Sequence, residues 1–330
     1  MSPVTRSLKV LYLPHPPELR EPWLSDVRTL INGRHELRVY DENLPLKPQI
    51  QDVEVVVDQG GGHTTREMAE LGSSVKLWQI LGTGFDHFDV AYWRQKGFPV
   101  ANTPGQFSAA ALAECAMMFI LMLSRRWHVA ESRFQQRDFH KPMHFELEGH
   151  RLLLVGFGAS ARELAARAIP FGLKMSAVEI RDVPDAERQQ FHLEKVVKPE
   201  QSDTLIPECD YLSLHLHLNP STRGIISDRR LRLMKPEAYL VNVARGALVD
   251  QEALYAALSE GRLAGAGLDV FTTEPPDPQN PLFKLPNVYA APHYAGMTDG
   301  TSRRRAGCVV ENIDRIAAGL SPLYRVDNLE

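Results

Sequence analysis

Cysteine is scarce in this chain of 330 residues: Cys115, Cys209 and Cys308 stand far apart and odd in number. That excludes a disulfide framework or a zinc knuckle and predicts a reduced, cytoplasmic setting. Charge of either sign is not in excess, since 37 basic and 41 acidic side chains leave a net −4. No footprint for nucleic acid or an anionic membrane results. The opening MSPVTRSLKVLYLP has no charged segment leading into a long apolar one, so no signal peptide is expected. Long apolar runs are missing too. The most apolar stretch, Ala109 to Leu123, is shorter than a membrane span and carries Glu114, which predicts a buried helix.

What remains is ordinary globular material. Hydrophobic residues at 44% and charged ones at 24% argue against disorder, and the length suggests two domains with sizeable cores. The basic run Arg303 to Arg305 reads as a solvated face at the start of a helix rather than a binding patch.

The centre of the chain carries the most informative pattern. Arg151 to Val155 (RLLLV) reads as a buried strand entering Gly156-Phe157-Gly158-Ala159-Ser160-Ala161, and a helical pattern with Leu164, Ala165 and Ala168 follows until Pro170. A second strand-like run, Lys174 to Val178, ends at Glu179, where a dinucleotide fold places its ribose ligand. Gly156 would allow the tight turn, Gly158 would let bare backbone approach a pyrophosphate, and Ala161 would let helix and strand pack closely. The N–H groups opening the 158–168 helix would face the phosphates. Glu179 suits the ribose hydroxyls of NAD and would repel a 2′-phosphate, so NAD is expected over NADP. Arg181 is the residue that keeps NADP in view.

The rest alternates strand and helix. Lys9 to Leu13, stopped by Pro14, Pro16 and Pro17, then Val53 to Val57 and Lys76 to Ile80 predict a smaller α/β unit over residues 1 to about 104. Gly82 and Gly84 follow the third of these strands, where they either present N–H groups to an anion or simply make a sharp turn. Asn102-Thr103-Pro104-Gly105 breaks the pattern before a helix from about Ser108 to Leu123. That helix is apolar nearly all round, as one covered on more than one side would be. Arg125 to Glu148, rich in His and aromatic residues, has no clear assignment. Further strands are expected at Tyr211 to Leu216, Ala238 to Val243 and Ala264 to Val270, with helices near Ser227 to Met234 and Asp250 to Glu260. Such alternation means a parallel, doubly wound sheet, with ligands beyond the carboxyl ends of its strands. Arg245, Glu274 and His293 all emerge at such ends.

At these residues the chain resembles the D-isomer-specific 2-hydroxyacid dehydrogenases over nearly its whole length. Gly82-Thr83-Gly84-Phe85-Asp86 through Asp89 is similar to the family's substrate-carboxylate loop, and Asn102 to Gly105 with Ala113-Glu114 to its interdomain helix signature. Gly156 to Ala161 matches the cofactor turn; Asn242 to Asp250, Leu268 to Pro275 and Pro292-His293 are the most specific matches. The resemblance implies a Rossmann cofactor domain, 105–297, inserted into a smaller flavodoxin-like substrate domain, 1–104 and 298–330. A helix from roughly Thr298 to Ala318 would make the return, and a homodimer is expected.

Carried onto matching positions, His293 would donate the proton in 2-oxo acid reduction and accept it in reverse, held by Glu274, whose charge favours the imidazolium. Arg245 would bind substrate carboxylate and carbonyl oxygen. Thr83 and Gly84 would offer backbone donors to the carboxylate. Cofactor contacts are implied at Gly156, Gly158, Ala159, Ser160 and Glu179, at His215, Val243 and Ala244, and at Asp269, His293 and Gly296. Asp269 would accept from the nicotinamide amide. Glyoxylate or hydroxypyruvate is the first substrate expected, and a corepressor that senses NAD(H) is the second reading of the same fold.

No metal is expected. His215 and His217 alternate without a further ligand in view, and Pro142 interrupts the helical spacing of His140 and His144. Cys115 reads as a small buried apolar residue. Ala159-Ser160, His217 and Tyr294 depart from the family's usual residues, which bears on cofactor contacts and pocket size.

Overall fold

The computed structural model describes residues 6–14, 18, 20–60, 64–85, 88–141 and 143–328. Pro16, Pro17, Asp86 and Pro142 lie outside them. The chain divides into two units, one of Met1–Ser108 with Met297–Glu330, the other of Ala109–Gly296. The expected divisions stood at 104/105 and 297/298.

Among the described residues the first unit has five parallel strands, β1 (Lys9–Leu13), β2 (Glu36–Val39), β3 (Val55–Asp58), β4 (Leu77–Ile80) and β5 (Val100–Ala101). Their spatial order is β2-β1-β3-β4-β5, the flavodoxin-like arrangement. Helices α1 (Trp23–Ile31), α2 (Leu46–Ile50), α3 (Arg66–Leu71) and α4 (Val90–Gln95) connect them. The two-residue period of a strand sends alternate side chains to opposite faces. Val10, Tyr12, Val55 and Val57 pack with Trp23, Leu24, Val27 and Ile31 of α1. Leu11, Leu13, Val56 and Trp78 pack instead with Ile50, Met68 and Trp93.

The chain's last helix in this unit, Asp299–Ala317, completes the first of these faces. Thr298 caps it by accepting from the Thr301 N–H, as its position before an apolar-periodic run requires. Ala306, Val309, Val310, Ile313 and Ala317 share one stripe, all buried against α1 and the sheet. Each Val or Ile so covered contributes about 1.5–3 kcal/mol, as an upper estimate. Asn312, also buried, donates to Gln79 Oε1 at 2.7 Å and accepts from Leu323 N–H at 2.7 Å. Beyond it, Ala101 pairs with Arg325 in an antiparallel bridge, and Val326 N–H donates to the Val100 carbonyl. The tail thereby covers the β5 edge.

The second unit has β6 (Arg151–Val155), β7 (Lys174–Val178), β8 (Leu193–Val197), β9 (Tyr211–Leu214), β10 (Tyr239–Asn242), β11 (Gly265–Leu268) and β12 (Val288–Ala290). All pair in parallel in the order β12-β11-β10-β9-β6-β7-β8. The order reverses between β6 and β9, and ligands of open α/β sheets bind at such a point. Helices α5 (Ala109–Ser124), α6 (Trp127–Gln135), α7 (Ala159–Ala168), α8 (Asp185–Gln190), α9 (Asp228–Leu231) and α10 (Gln251–Ser259) accompany it, so the return helix Asp299–Ala317 is α11. Leu152 and Leu154 face α5 and α7; Leu153 and Val155 face the α10 side.

The all-round apolar α5 has a structural cause on its β11 side. A Cβ added at Gly267 would stand 2.6 Å from Phe119, so a glycine-rich strand admits the helix at close range. Glu114 stays exposed and pairs with Arg167 at 3.1 Å. The unassigned 125–148 stretch contains α6, and Trp127, Phe134, Phe139, Met143 and Phe145 along it are exposed.

Candidate active site

Strand β6 delivers the chain to Gly156, whose φ is +88°. A Cβ there would sit 2.5 Å from the His215 carbonyl oxygen, so both conformation and room demand glycine. Gly158 is different: a Cβ there would meet nothing within 4 Å. It precedes α7 without any side-chain cap, leaving the helix's first N–H groups for another acceptor. Between the glycines, Phe157 N–H donates to Glu179 Oε2 at 2.7 Å, and Arg181 N–H donates to Oε1 at 3.0 Å. Glu179 is thus at the turn, nearly buried, with one backbone donor on each oxygen. Each carboxylate oxygen retains acceptor capacity for a hydroxyl.

His215, just beyond β9, lies between two hydroxyls: Ser160 Oγ at 3.0 Å from Nδ1 and Ser213 Oγ at 2.9 Å from Nε2. Burial pushes its pKa down to about 3, so the ring is neutral near pH 7 and uses one nitrogen as donor and one as acceptor. Ser160, expected at the phosphates, is tied to His215 in this way.

The ends of β10, β11 and β12 bring three further side chains together. Asn242 accepts from Ala244 N–H at 3.1 Å and donates to the Arg245 carbonyl at 2.9 Å, shaping the turn that carries Arg245. Val243 and Ala244 are buried within it, and Arg245 Nη1 donates to the Ala244 carbonyl at 2.8 Å. At Gly246 a Cβ would fall 1.9 Å from the Phe271 carbonyl carbon. Only glycine lets the Arg245 turn and the loop bearing Glu274 lie backbone to backbone.

Glu274 Oε1 accepts from Phe271 N–H at 2.9 Å, and Oε2 lies 2.6 Å from His293 Nδ1. Burial would raise the Glu274 carboxyl, but the His293 and Phe271 hydrogen bonds and the charges of His293 and Arg245 outweigh it and hold the group below its ordinary value. His293 itself has φ +53°, a left-handed conformation costly for a residue with a side chain. Asp269 supports it. Its carbonyl accepts His293 N–H at 2.8 Å, while Oδ1 and Oδ2 accept Tyr294 and Ala295 N–H at 2.9 Å each. Asp269 is wholly buried, and burial raises its carboxyl against those two donors. The nicotinamide role expected of Asp269 therefore has company: the same carboxylate clamps the turn carrying His293. Gly296 ends this unit.

Thr83 and Gly84 belong to the first unit, after β4. Thr103 N–H donates to the Gly82 carbonyl, Thr103 Oγ1 to that of Leu81 and Asn102 Nδ2 to that of Thr83. The N-T-P-G break is thus what holds this loop. Among the described residues, no partner takes the Thr83 or Gly84 N–H. The basic run nearby is not uniformly solvated. Arg303 pairs outward with Asp299, but Arg305 lies over the Trp23 ring at 5.5 Å and donates to Thr83 Oγ1 at 3.3 Å. Spacing alone gave no sign of this inward turn.

Among the described residues no group of three or more His, Cys, Asp or Glu could hold a metal, and no helix is long and apolar enough to cross a membrane. All three cysteines are free and buried, with burial pushing the Cys115 thiol up to about 12. A cavity of about 400 Å³ at the ends of β1 and β2, lined by Arg20, Tyr40 and Asp41, contains none of the expected site residues.

Known proteins match this chain over most of its length. The family described as "D-isomer specific 2-hydroxyacid dehydrogenase, NAD binding domain" matches residues 117–295. A hydroxypyruvate reductase of Thermotoga maritima is 35% identical over 310 residues, 90% of this chain and 96% of that one. A glyoxylate reductase of Thermococcus litoralis is 35% identical over 286 residues, 84% of each chain. The structure of an Aquifex aeolicus D-lactate dehydrogenase complexed with NAD and lactic acid superposes with a TM-score of 0.77 at 27% identity, covering 94% of this chain and 96% of that one. With its glycine turn, its strand-end Arg, Glu and His, and relatives matched along nearly its full length, the chain belongs to the D-isomer-specific 2-hydroxyacid dehydrogenases.

Proposed function

We propose that this dehydrogenase interconverts a small 2-oxo acid and its D-2-hydroxy acid, with His293 as the proton-transferring group. The observation that carries the reading is the 2.6 Å contact between His293 Nδ1 and Glu274 Oε2, with Arg245 close enough to act on the same carboxylate. The residues of the turn fit a dinucleotide: Gly156 is obligatory, Gly158 leaves open space, and α7 presents uncapped N–H groups. Gly156, Gly158, Ala159 and Ser160 would border the phosphates, Glu179 the adenosine ribose, and Val243, Ala244, Asp269 and Gly296 the nicotinamide end. His215 supports the turn through Ser160. NAD(H), when bound, supplies the hydride for reduction or takes it up in oxidation.

The chain's own residues handle proton and charge. Glu274 fixes the imidazole through Nδ1, which leaves Nε2 to deliver a proton to the substrate oxygen in reduction and to remove one in oxidation. Arg245 offers a planar fork to the carboxylate and to developing negative charge on the carbonyl oxygen. The Thr83 and Gly84 N–H groups are proposed as further carboxylate donors. Glyoxylate and hydroxypyruvate come first as substrates because relatives similar over most of this chain bear those names; the same relatives favour an enzyme over an NAD(H)-sensing corepressor.

A cytoplasmic setting accords with three free cysteines. A homodimer is supported by the exposed apolar side chains between Trp127 and Phe145, and sedimentation analysis tests it. The reaction is tested by following NADH and NADPH oxidation with glyoxylate, hydroxypyruvate, pyruvate and phenylpyruvate, using His293→Ala as control. Full activity in that variant would remove the assignment.

A further inference from the structure

Behind the ribose carboxylate stands a network that the reaction itself does not need. The Arg181 guanidinium forms a two-pronged pair with Glu187, Nη1 to Oε2 at 2.8 Å and Nη2 to Oε1 at 2.7 Å. The same Nη2 donates to the Phe157 carbonyl at 2.9 Å. Arg162, in the first turns of α7, adds a third contact to Glu187 Oε1 at 3.1 Å. Arg181 Nε lies 3.9 Å from Glu179 Oε2. The Glu187 side chain is only 18% exposed. The Arg181 bonds, with Arg162, overcome burial and bring its carboxyl down to about 2.

Two guanidinium groups and two carboxylates thus cancel beside the place where the adenosine ribose is read. The other cations here are committed outward. Lys198 binds Asp182 and the Ile180 carbonyl, and Arg188 lies 3.7 Å from Asp185. A dinucleotide fold takes an unphosphorylated ribose on an acid and accommodates a 2′-phosphate with an arginine nearby. This chain has both, side by side. What then decides between cofactors is whether the arginine is available. Arg181 can turn to a phosphate only by leaving a largely covered carboxylate with a single remaining partner, which is costly.

We infer that Glu187, through its two-pronged hold on Arg181, sets this site's preference against a 2′-phosphorylated cofactor. Glu187 is a positioning residue, and Glu179 alone is not the whole discriminator. The inference rests on the reading of Glu179 as the ribose acceptor.

The test compares binding of ADP-ribose and of its 2′-phosphate by calorimetry, without substrate, alongside kcat/KM for NADH and NADPH. In Glu187→Gln the affinity ratio moves toward the 2′-phosphate by about tenfold or more, because a freed guanidinium gains a charge-assisted phosphate contact. Adding Arg181→Gln abolishes the gain, and Glu187→Asp keeps the wild-type preference. An unchanged ratio in Glu187→Gln, or a gain that survives loss of Arg181, overturns the inference and leaves Glu187 a structural brace. Should Glu187→Gln not fold, Arg181→Gln alone still decides. It leaves the ratio near wild type if Arg181 is already withheld; a large loss of 2′-phosphate affinity overturns the idea. Wild-type protein that binds neither compound removes the cofactor reading itself, and the inference with it.

Discussion

Glu274 Oε2 and His293 Nδ1 face each other at 2.6 Å although 19 positions separate them in the chain. The contact leaves Nε2 as the nitrogen that can meet a substrate. His293→Ala should therefore lower 2-oxo acid reduction by about 10²–10⁴-fold. Glu274→Gln should also reduce kcat, because the ring then loses the carboxylate that holds Nδ1 and orients Nε2. Initial rates of NADH oxidation check both outcomes; a wild-type kcat in Glu274→Gln would contradict the pairing.

Arg245→Lys tests geometry rather than charge. The lysine keeps one positive charge but loses the planar fork, so kcat/KM for a 2-oxo acid should fall by roughly 10²-fold. Most of that loss should return when guanidinium is added to an Arg245→Ala variant. Retention of wild-type kcat/KM in the lysine variant would show that a point charge suffices.

Two glycines two residues apart should fail in different ways. Gly156→Ala meets the His215 carbonyl at 2.5 Å from a φ of +88°, and should lower stability by more than about 1 kcal/mol. Gly158→Ala has open space, and should melt near the wild-type temperature while weakening ADP-ribose binding. Thermal melts paired with calorimetry separate them, and a stable Gly156→Ala protein would contradict the turn described.

His215 predicts a pH dependence of stability. Its folded pKa of about 3 lies below the ordinary 6.5, so the unfolded chain binds a proton that the folded site refuses. The contribution is whole above pH 6.5 and is lost progressively as pH falls from 6.5 toward 3. His215→Asn should make the melting temperature less sensitive to acid between pH 6.5 and 4.5. An unaltered slope would mean that the imidazole is protonated in the folded protein.

Interior strands were legible in the sequence because they are apolar and sharply bounded. RLLLV and KMSAV match β6 and β7 at both ends, the first closed by glycine and the second by Glu179. Edge strands were not: ELRV and LEKVV carry charge on a half-solvated surface, so no apolar run marks β2 or β8. β5 and β12, of two and three residues, are too short for any periodicity. The expected strands at 211–216, 238–243 and 264–270 each overran, because Leu216, Val243 and Val270 lie in the loops past the last ladder residue and Ala238 and Ala264 precede the first.

The site's residues were legible as types at strand ends, but their contacts were not. Asp269's carbonyl and carboxylate oxygens are met by the backbone N–H groups of residues 293–295, and the Gly246–Phe271 approach is backbone against backbone. Backbone leaves no mark in a sequence beyond a glycine. Arg181's commitment to Glu187 is not legible either, since the two stand six positions apart across loop and helix start with no regular spacing to join them.

The first unit is assembled from two stretches that lie on either side of the second in the chain, and this orders events during synthesis. Residues 109–296 form an unbroken segment with both of its own apolar layers, so it can finish folding as it leaves the ribosome. Val10, Tyr12, Val55 and Val57 must instead wait for α11, roughly a quarter of a minute to a minute at ordinary translation speeds. During that interval α1 covers only part of this sheet face, and the stripe that α11 will take stays open to water.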